Sequence, residues 1–354
     1  MIRRVRSNFL RMTDLNVFRR LGTLTALCLA LACKGKGEAD AGGATRADAA
    51  GEPITVFAAG SLARPMRAAL DSFAARTGAT YSLESAGSLE LARRLTDLGK
   101  SADVMALADE DVFPRLLMPS HVHWYARFAR NRLVLAHGAN AKGVADAERG
   151  EWRSVLQSPD VETGRADPDL DPAGYRTLML FQLAERYYRE PGLAARLEAS
   201  APRRNVRPKS AELVALLQSN EMDYAWMYES SARGARLPFI ALPPEIDLGD
   251  ERLASAYQAA HVRVLGAKVG DTTEVRGVPI RYGLTIPIAS PHAARAAEFV
   301  RFLLSPDGQR VLRSEFLDVL DAPTVVGDQR PAFLDSLAAG GAGSHATPAD
   351  SGKH

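Results

Sequence analysis

The sequence predicts an α/β fold with a largely parallel sheet. Three observations carry this. Apolar runs of strand length alternate with segments of helical period between residues 54 and 107. Two strand–helix junctions share one tetrapeptide, Ala-Gly-Ser-Leu, at 59–62 and 86–89. The chain then closes on one strand and two helices, and it carries no repeat array of 20–50 residues.

Each element has a local cause. ITVFAAG, from Ile54, is an apolar run stopped by Gly60. Residues 62–77 place Met66, Leu70, Phe73 and Ala74 on one helical face. TYSLESAG alternates as a strand does, LELARRLTDL (89–98) reads as a helix, and ADVMALA is a short buried strand. NRLVLA (131–136) is a further strand and EWRSVL (151–156) a short helix. GYRTLMLFQLAERYY (174–188) is a long helix with Leu178, Phe181, Leu183 and Ala184 apolar. A helix at 211–218 and the strand YAWMY (224–228) follow. RYGLTIP (281–287) is the last clear strand, before helices at 292–304 and 307–317, with Pro306 and Asp307 as stop and start signals.

The chain has 354 residues, about two domains' worth. With 46% hydrophobic and 24% charged residues it has the balance of a soluble globular protein. That excludes a disordered chain, a collagen and a multi-span membrane protein. The formal charge of +2 is misleading, because residues 1–32 hold six Arg and one acid, Asp14, a local +5. Without them the charge is −3, so no basic excess points to nucleic acid. Cys28 and Cys33 are the only cysteines, so no disulfide framework holds the body.

Arg19 and Arg20 precede the uncharged LGTLTALCLALA, whose twelve residues would span about 18 Å as a helix, short of a bilayer core. Basic residues, a short apolar run and small residues together read as a secretory signal over 1–32. Cys33 follows Ala30-Leu31-Ala32 as at a bacterial lipoprotein processing site, which makes Cys33 the expected lipid anchor to the membrane. The alternatives are a plain secreted protein with an incidental Cys and a short buried helix. Residues 33–52 read as a flexible tether and 337–354 as a loose tail, both Gly/Ala-rich.

In a parallel sheet the two AGSL junctions share the carboxyl edge of the strands. Ser61 and Ser88 fit helix N-caps, and Gly60 and Gly87 let backbone approach a ligand. Helix N-termini present free N–H donors to an anion. Asp171-Pro172-Ala173-Gly174 and Lys209-Ser210 precede helices in the same way. Four such starts converging from two lobes would bind a compact oxyanion with neutral donors, without Lys or Arg. Tyr228, at its strand end, adds a phenol donor. Asp171 would repel an anion unless it is protonated or bonds to a metal centre within that anion; otherwise it is an Asp-Pro turn acid, and the junctions are ordinary capped helices. His121 and His123 read as a surface turn, Trp124, Tyr125 and Phe128 as packing, and Asp103 and Asp109 as solvated turn acids. HExxH, GxSxG and GxxxxGK[ST] are all absent.

The segments VFAAGSL, ESAGS, LGKSADVMALAD, WYARFARNRLVLA, DPDLDPAGYRTLM, VRPKSAELVALLQSNEMDYAWMY, RYGLTIP and EFVRFLLS, in this order, run from Ile54 to Val319. Together they resemble the periplasmic molybdate/tungstate-binding proteins of ABC transporters, specifically the archaeal-type branch. The resemblance implies a two-lobed type II periplasmic-binding-protein fold with the oxyanion between the lobes. Lobe 1 is then expected at 53–130 plus 285–336 and lobe 2 at 131–284, with hinges near 129–133 and 280–284. It carries Gly60, Ser61, Ser88, Asp171, Pro172, Ala173, Ser210 and Tyr228 over as ligand-binding residues. In that branch two carboxylates approach the metal of the oxyanion. Asp171 matches one; Ser210 stands where the second belongs, and Glu212 lies two residues on.

The function so implied is that of a monomeric, non-enzymatic binding protein in the periplasm or cell envelope. It would hand molybdate or tungstate to a membrane permease and its ATPase, with no cofactor and no free metal ion. The alternatives are a binder of sulfate or phosphate, a signalling lipoprotein, and a secreted hydrolase using Ser61 or Ser88, both of which lack a recognisable base.

Overall fold

The computed structural model describes residues 52–266 and 270–335. The expected signal segment 1–32, Cys33, the expected tether to residue 51 and the expected tail 337–354 lie outside the described residues. The chain runs β1 (Ile54–Ala59), α1 (Ala63–Thr77), β2 (Tyr81–Ala86), α2 (Ser88–Thr96), β3 (Val104–Leu107) and β4 (Trp124–Asn131). It continues through β5 (Leu133–His137), β6 (Thr163–Ala166), α3 (Pro172–Tyr188), α4 (Leu193–Ser200), β7 (Val206–Arg207), α5 (Ser210–Gln218), β8 (Tyr224–Tyr228) and β9 (Phe239–Ile240). The antiparallel pair β10 (His261–Leu265) and β11 (Thr272–Arg276) precedes β12 (Ile280–Thr285), α6 (Ala293–Leu304), α7 (Pro306–Ser314) and β13 (Asp318–Gly327). Among the described residues no helix is long and apolar enough to cross a membrane.

Two sheets organise the fold, in the orders β13-β4-β12-β3-β1-β2 and β7-β6-β8-β5-β9. The expected largely parallel sheet is therefore corrected to two mixed sheets. The β-α-β units make β1 parallel to β2 and β3. β12 enters between β3 and β4 with no crossover helix and pairs antiparallel with both. In the second sheet β6 runs parallel to β8 while β5 runs antiparallel to it. β1 and β3 are covered on both faces, so Val56, Phe57, Ala58, Val104, Met105 and Ala106 are all fully buried, which is why these strands read as unbroken apolar runs. α1 packs on α6 through an edge-on Phe73–Phe299 pair at 5.4 Å.

Of the seven strands that escaped the sequence reading, two complete the first sheet. WYARFARN is β4, its aromatics buried as expected but carried on a strand. DVLDAPTVVG is β13, an edge strand whose register shifts between Val319 and Thr324, around Pro323. Only an edge position tolerates that proline. The chain leaves the first sheet at Asn131 and enters the second at Leu133. It returns at Ile280, since β12 bonds to β3 and β4. The expected 131–284 division is corrected accordingly: Ile280–Thr285 belong to the first sheet, and the return crossing lies between Arg276 and Ile280.

Asp103 ties the first lobe together and is no solvated turn acid, being 1% exposed. Its Oδ2 accepts from Thr55 N at 2.8 Å, and its Oδ1 accepts from His292 N and Ser290 Oγ, each at 2.8 Å. The start of β1, the start of β3 and the N-terminus of α6 are thus joined through one carboxylate. Burial alone would raise its pKa, but the Thr55 and His292 donors outweigh that and hold it below the ordinary carboxylate range. Asp103 and then Glu52 hold His292 above the ordinary imidazole value. The Asp103 contribution to stability is complete above about pH 3.9 and is lost as pH falls through its lowered folded value. The His292 contribution is complete below about pH 6.5 and is lost as pH rises through its raised folded value. Asp103→Ala should cost about 2–4 kcal/mol by leaving Thr55 N and His292 N without an acceptor, and should flatten the decline in stability above neutral pH. Urea melts across pH measure both; an unchanged midpoint would remove this clamp.

Candidate functional site

β1 runs into a single 3-10 turn, Gly60–Leu62, before α1 begins. Ser88 and Ser210 are the first residues of α2 and α5, behind Gly87 and Lys209 in extended conformation. None of the three serines caps its helix through its side chain, which corrects the N-cap reading. Their hydroxyls are free for other partners. Asp171 alone caps, accepting from Ala173 N at 2.9 Å at the start of α3.

The four junctions meet. A Cβ on Gly60 would lie 3.6 Å from Ala211 Cβ and 3.7 Å from Lys209 Cβ, so the first junction abuts the start of α5. A Cβ on Gly87 would lie 2.1 Å from the Leu170 carbonyl oxygen, a place only glycine can occupy. The N–H groups of Leu89 and Glu90 donate to that same carbonyl at 3.2 and 3.3 Å. Ser210 N and Ser210 Oγ both donate to Asp171 Oδ2, at 2.9 and 3.2 Å. The structure therefore brings Gly60, Ser61, Ser88, Asp171, Pro172, Ala173 and Ser210 to one place, all buried. Tyr228 joins them from the end of β8, within reach of Arg176 and with its ring 5.8 Å from Tyr282. Glu212 does not join: it is half-buried in the first turn of α5, and its carboxylate has no hydrogen bond to the cluster among the described residues.

The electrostatics rest on a residue that sequence reasoning missed. Arg176, on α3, is 2% exposed. Its guanidinium pairs with Asp109 Oδ1 at 3.0 Å and donates to Ala108 O at 2.6 Å and to Tyr228 OH at 2.8 Å. Asp109 also accepts from Tyr175 OH. Asp109 follows β3 of the first sheet, while Arg176 and Tyr175 belong to the second lobe, so this buried pair spans the cleft. The expectation of a site without Arg, and of Asp109 as a solvated turn acid, is corrected. Burial opposes the charge on Arg176, but Asp109 and Tyr228 outweigh it and keep the guanidinium protonated. Burial likewise raises the Asp171 pKa, against the pull of the Ser210 and Ala173 N–H groups and of Arg176. Burial raises the Tyr228 phenol well above its ordinary value, so it remains a neutral donor.

A signal for Arg176 was present. It lies on the buried stripe of α3 with Met179, Leu180 and Leu183, where a charge needs a partner. Tyr282 and Asn131 were missed too. Tyr282 OH donates to Ser61 Oγ at 2.9 Å and accepts from Asn131 Nδ2 at 2.9 Å. His121 and His123 are half-buried, and no His, Cys, Asp and Glu group suited to a metal ion exists among the described residues.

Residues 54–317 match the model of the bacterial extracellular solute-binding protein family. An uncharacterized solute-binding protein of Petrotoga mobilis is 36% identical over 83% of this chain and 92% of its own. The molybdate/tungstate-binding protein WtpA of Pyrococcus abyssi is 32% identical over 87% of this chain and 95% of its own. Among solved structures, the periplasmic molybdate-binding protein of Azotobacter vinelandii superposes with a TM-score of 0.53 at 15% identity, covering 75% of this chain and 98% of that one. The sulfate-binding protein SubI of Mycobacterium tuberculosis gives 0.51 at 14% identity, covering 81% and 90%. These two structures share the two-lobed periplasmic-binding fold. With its family model matching most of its length, this chain belongs to the bacterial extracellular solute-binding protein family.

Proposed function

We propose that this protein captures molybdate or tungstate in the periplasm or cell envelope and delivers it to a membrane permease with its ATPase. The observation that carries the reading is the donor set. The hydroxyls of Ser61, Ser88 and Tyr228 lie beside the starts of four helices from both lobes, where the helix dipoles suit a small dianion. Gly60, Pro172 and Ala173 bring backbone close to the same place, and Ser210 reaches it through Asp171. The WtpA relatives support molybdate and tungstate as the anions. A hydrolase reading lacks support: Ser61 pairs with Tyr282 and Ser88 with Ala108 N, and neither partner is a base of ordinary pKa. Cys33 as lipid anchor, a monomeric state and the absence of a resident cofactor complete the proposal.

The donors are buried, with Ser61 at 8% and Ser88 and Tyr228 at 0% exposure. An anion can reach them only if the lobes part, so the protein works by hinge motion at Arg132 and at residues 277–279. Asp171 serves as an organiser of helix ends. Its oxygens already accept from Ala173 N, Ser210 N and Ser210 Oγ, bonds it would have to share or give up to reach the metal of the oxyanion. With Ser210 in place of a second carboxylate, the anion is held tetrahedral by hydrogen bonds alone.

Calorimetry should give 1:1 binding of molybdate or tungstate; no heat with either sinks the proposal. Ser61→Ala and Ser88→Ala should each weaken binding by about 1–3 kcal/mol, the worth of a hydrogen bond to a charged group. Unchanged affinity in both would remove them from the site. X-ray absorption at the metal edge of the bound anion should give the signature of four oxygens in tetrahedral geometry. Six ligands would mean that Asp171 turns from its present donors to the metal.

A further inference from the structure

We infer that a cavity lined by Arg165 on the second lobe is a separate binding site for a small monocarboxylic acid with a short apolar body. None of the residues assigned to the oxyanion lines it. The inference stands on its own observations, whether or not the cleft takes an oxyanion.

Arg165 lies on β6, where it pairs in parallel register with Val206 of β7. Side chains alternate along a strand. A Cβ on Gly164 would lie 2.3 Å from Met222 Sδ and 2.9 Å from Leu213 Cδ2, so that face is packed on α5 and the turn after it. Arg165 takes the opposite face, toward the end of α4. There it lines a cavity of about 490 Å³ together with Glu198 and Arg203. Arg165 is 9% exposed, yet its guanidinium is poorly met. Nη1 donates to Ala166 O at 3.3 Å, Nη2 stands 3.9 Å from Glu198 Oε1, too far for a hydrogen bond, and Nε has no partner among the described residues. Arg176, by contrast, meets Asp109, Ala108 O and Tyr228 OH. Burial pushes the Arg165 pKa down, and Glu198 and Asp167 oppose this only in part. A buried cation with unmet donors is costly, and the cavity it lines is where an anion can meet them.

The chemistry of the lining selects the class of ligand. The unmet edge of the guanidinium is the one formed by Nε and Nη2, whose parallel N–H bonds match the two oxygens of a carboxylate. Nε is shielded from water, and a carboxylate that takes the place of Glu198 beside Nη2 reaches it once the guanidinium turns toward the cavity. Glu198 can give way, because its side chain is 57% exposed and its hold on Arg165 is loose. Arg203 is exposed, and its side chain has no ion pair or hydrogen bond among the described residues, so it supplies a second positive charge. Asp167 and Glu198 balance the two arginines. A single negative charge is therefore favoured over the double charge of phosphate. The rest of the wall is apolar and stiff, with Pro168, Pro202, Val206 and Pro208, and suits a short hydrocarbon body.

The test is an NMR titration of isotope-labelled protein with butyrate, following the Arg165 Nε–H signal, which is assigned by its loss in Arg165→Lys. Butyrate should shift that signal saturably. Butanol, with the same body and no charge, should leave it in place, and inorganic phosphate should act only weakly. Saturation transfer to butyrate gives the affinity in the variants, and thermal melts confirm that each is folded. Arg165→Lys keeps the charge but loses the fork, and should weaken binding about tenfold. Glu198→Gln removes the competing carboxylate at an exposed position and should tighten binding several-fold. An unmoved Arg165 signal in both the wild type and Glu198→Gln overturns the site, as does an affinity that Arg165→Lys leaves unchanged or that Glu198→Gln fails to raise. Equal binding of butanol, or tighter binding of phosphate, overturns the ligand class. A shift that excess molybdate abolishes places butyrate in the cleft and overturns the separate site, while leaving the oxyanion reading intact.

Discussion

The buried Arg176–Asp109 pair is the constraint on which the site depends. Both side chains are 2% exposed, and they come from opposite lobes. Removing either partner would strand a charge away from water, at a cost of about 3–5 kcal/mol. The pair also sets the charge of the cleft. Asp109 cancels Arg176, so the guanidinium acts less as an attractor for an anion than as a fixed donor to Tyr228 and to Ala108 O.

That arrangement explains why the serines do not cap their helices. A hydroxyl spent on an N-terminal N–H would turn its oxygen inward and lose its orientation to the cleft. Here Gly87 and Lys209 take the cap positions, and the Ser88 oxygen is filled from Ala108 N instead. Asp171 does the capping and joins α3 to α5 through Ser210. Structural duty falls on the carboxylate, which in the proposed function leaves recognition to the hydroxyls.

The features that the sequence made legible are local. The AGSL junctions, the Asp-Pro start of α3 and the Ser210 start of α5 each lie within a few residues of a strand end or helix start, where type and position suffice. The features that stayed hidden are those made by distant pairing. Asp109 becomes a buried ion-pair partner only through a residue 67 positions away, and Tyr282 finds Ser61 across 221. Asp103 looked like a turn acid because nothing near it in sequence announces Thr55 or His292 as donors. β13 was obscured for a different reason: Pro323 argues against a strand anywhere except at an edge, and edge position is a property of the assembled sheet. The return crossing was misplaced by a few residues because RYGLTIP reads equally well as the last strand of either lobe.

The closed arrangement has a consequence for how ligand and lobes are coupled. Polar contacts crossing the cleft include Arg176 to Asp109 and Ala108, Lys209 Nζ to Ser85 O at 3.4 Å, and Arg93 NH1 to Asp169 O at 2.9 Å. On opening, each exchanges its partner for water, so each opposes opening by only about 0.5–1.5 kcal/mol, more where charge is involved. Their sum is a few kcal/mol, the range in which both states of a hinge are populated and a ligand can choose between them. In the proposed function an oxyanion gains hydrogen bonds from Ser61 and Ser88 on one side and Tyr228 on the other only when the lobes are together. Its differential affinity is therefore of the same order as the contacts it supplements. In the proposed function closure and recognition are then one event, because the donors assigned to the anion are divided between the two lobes that must meet.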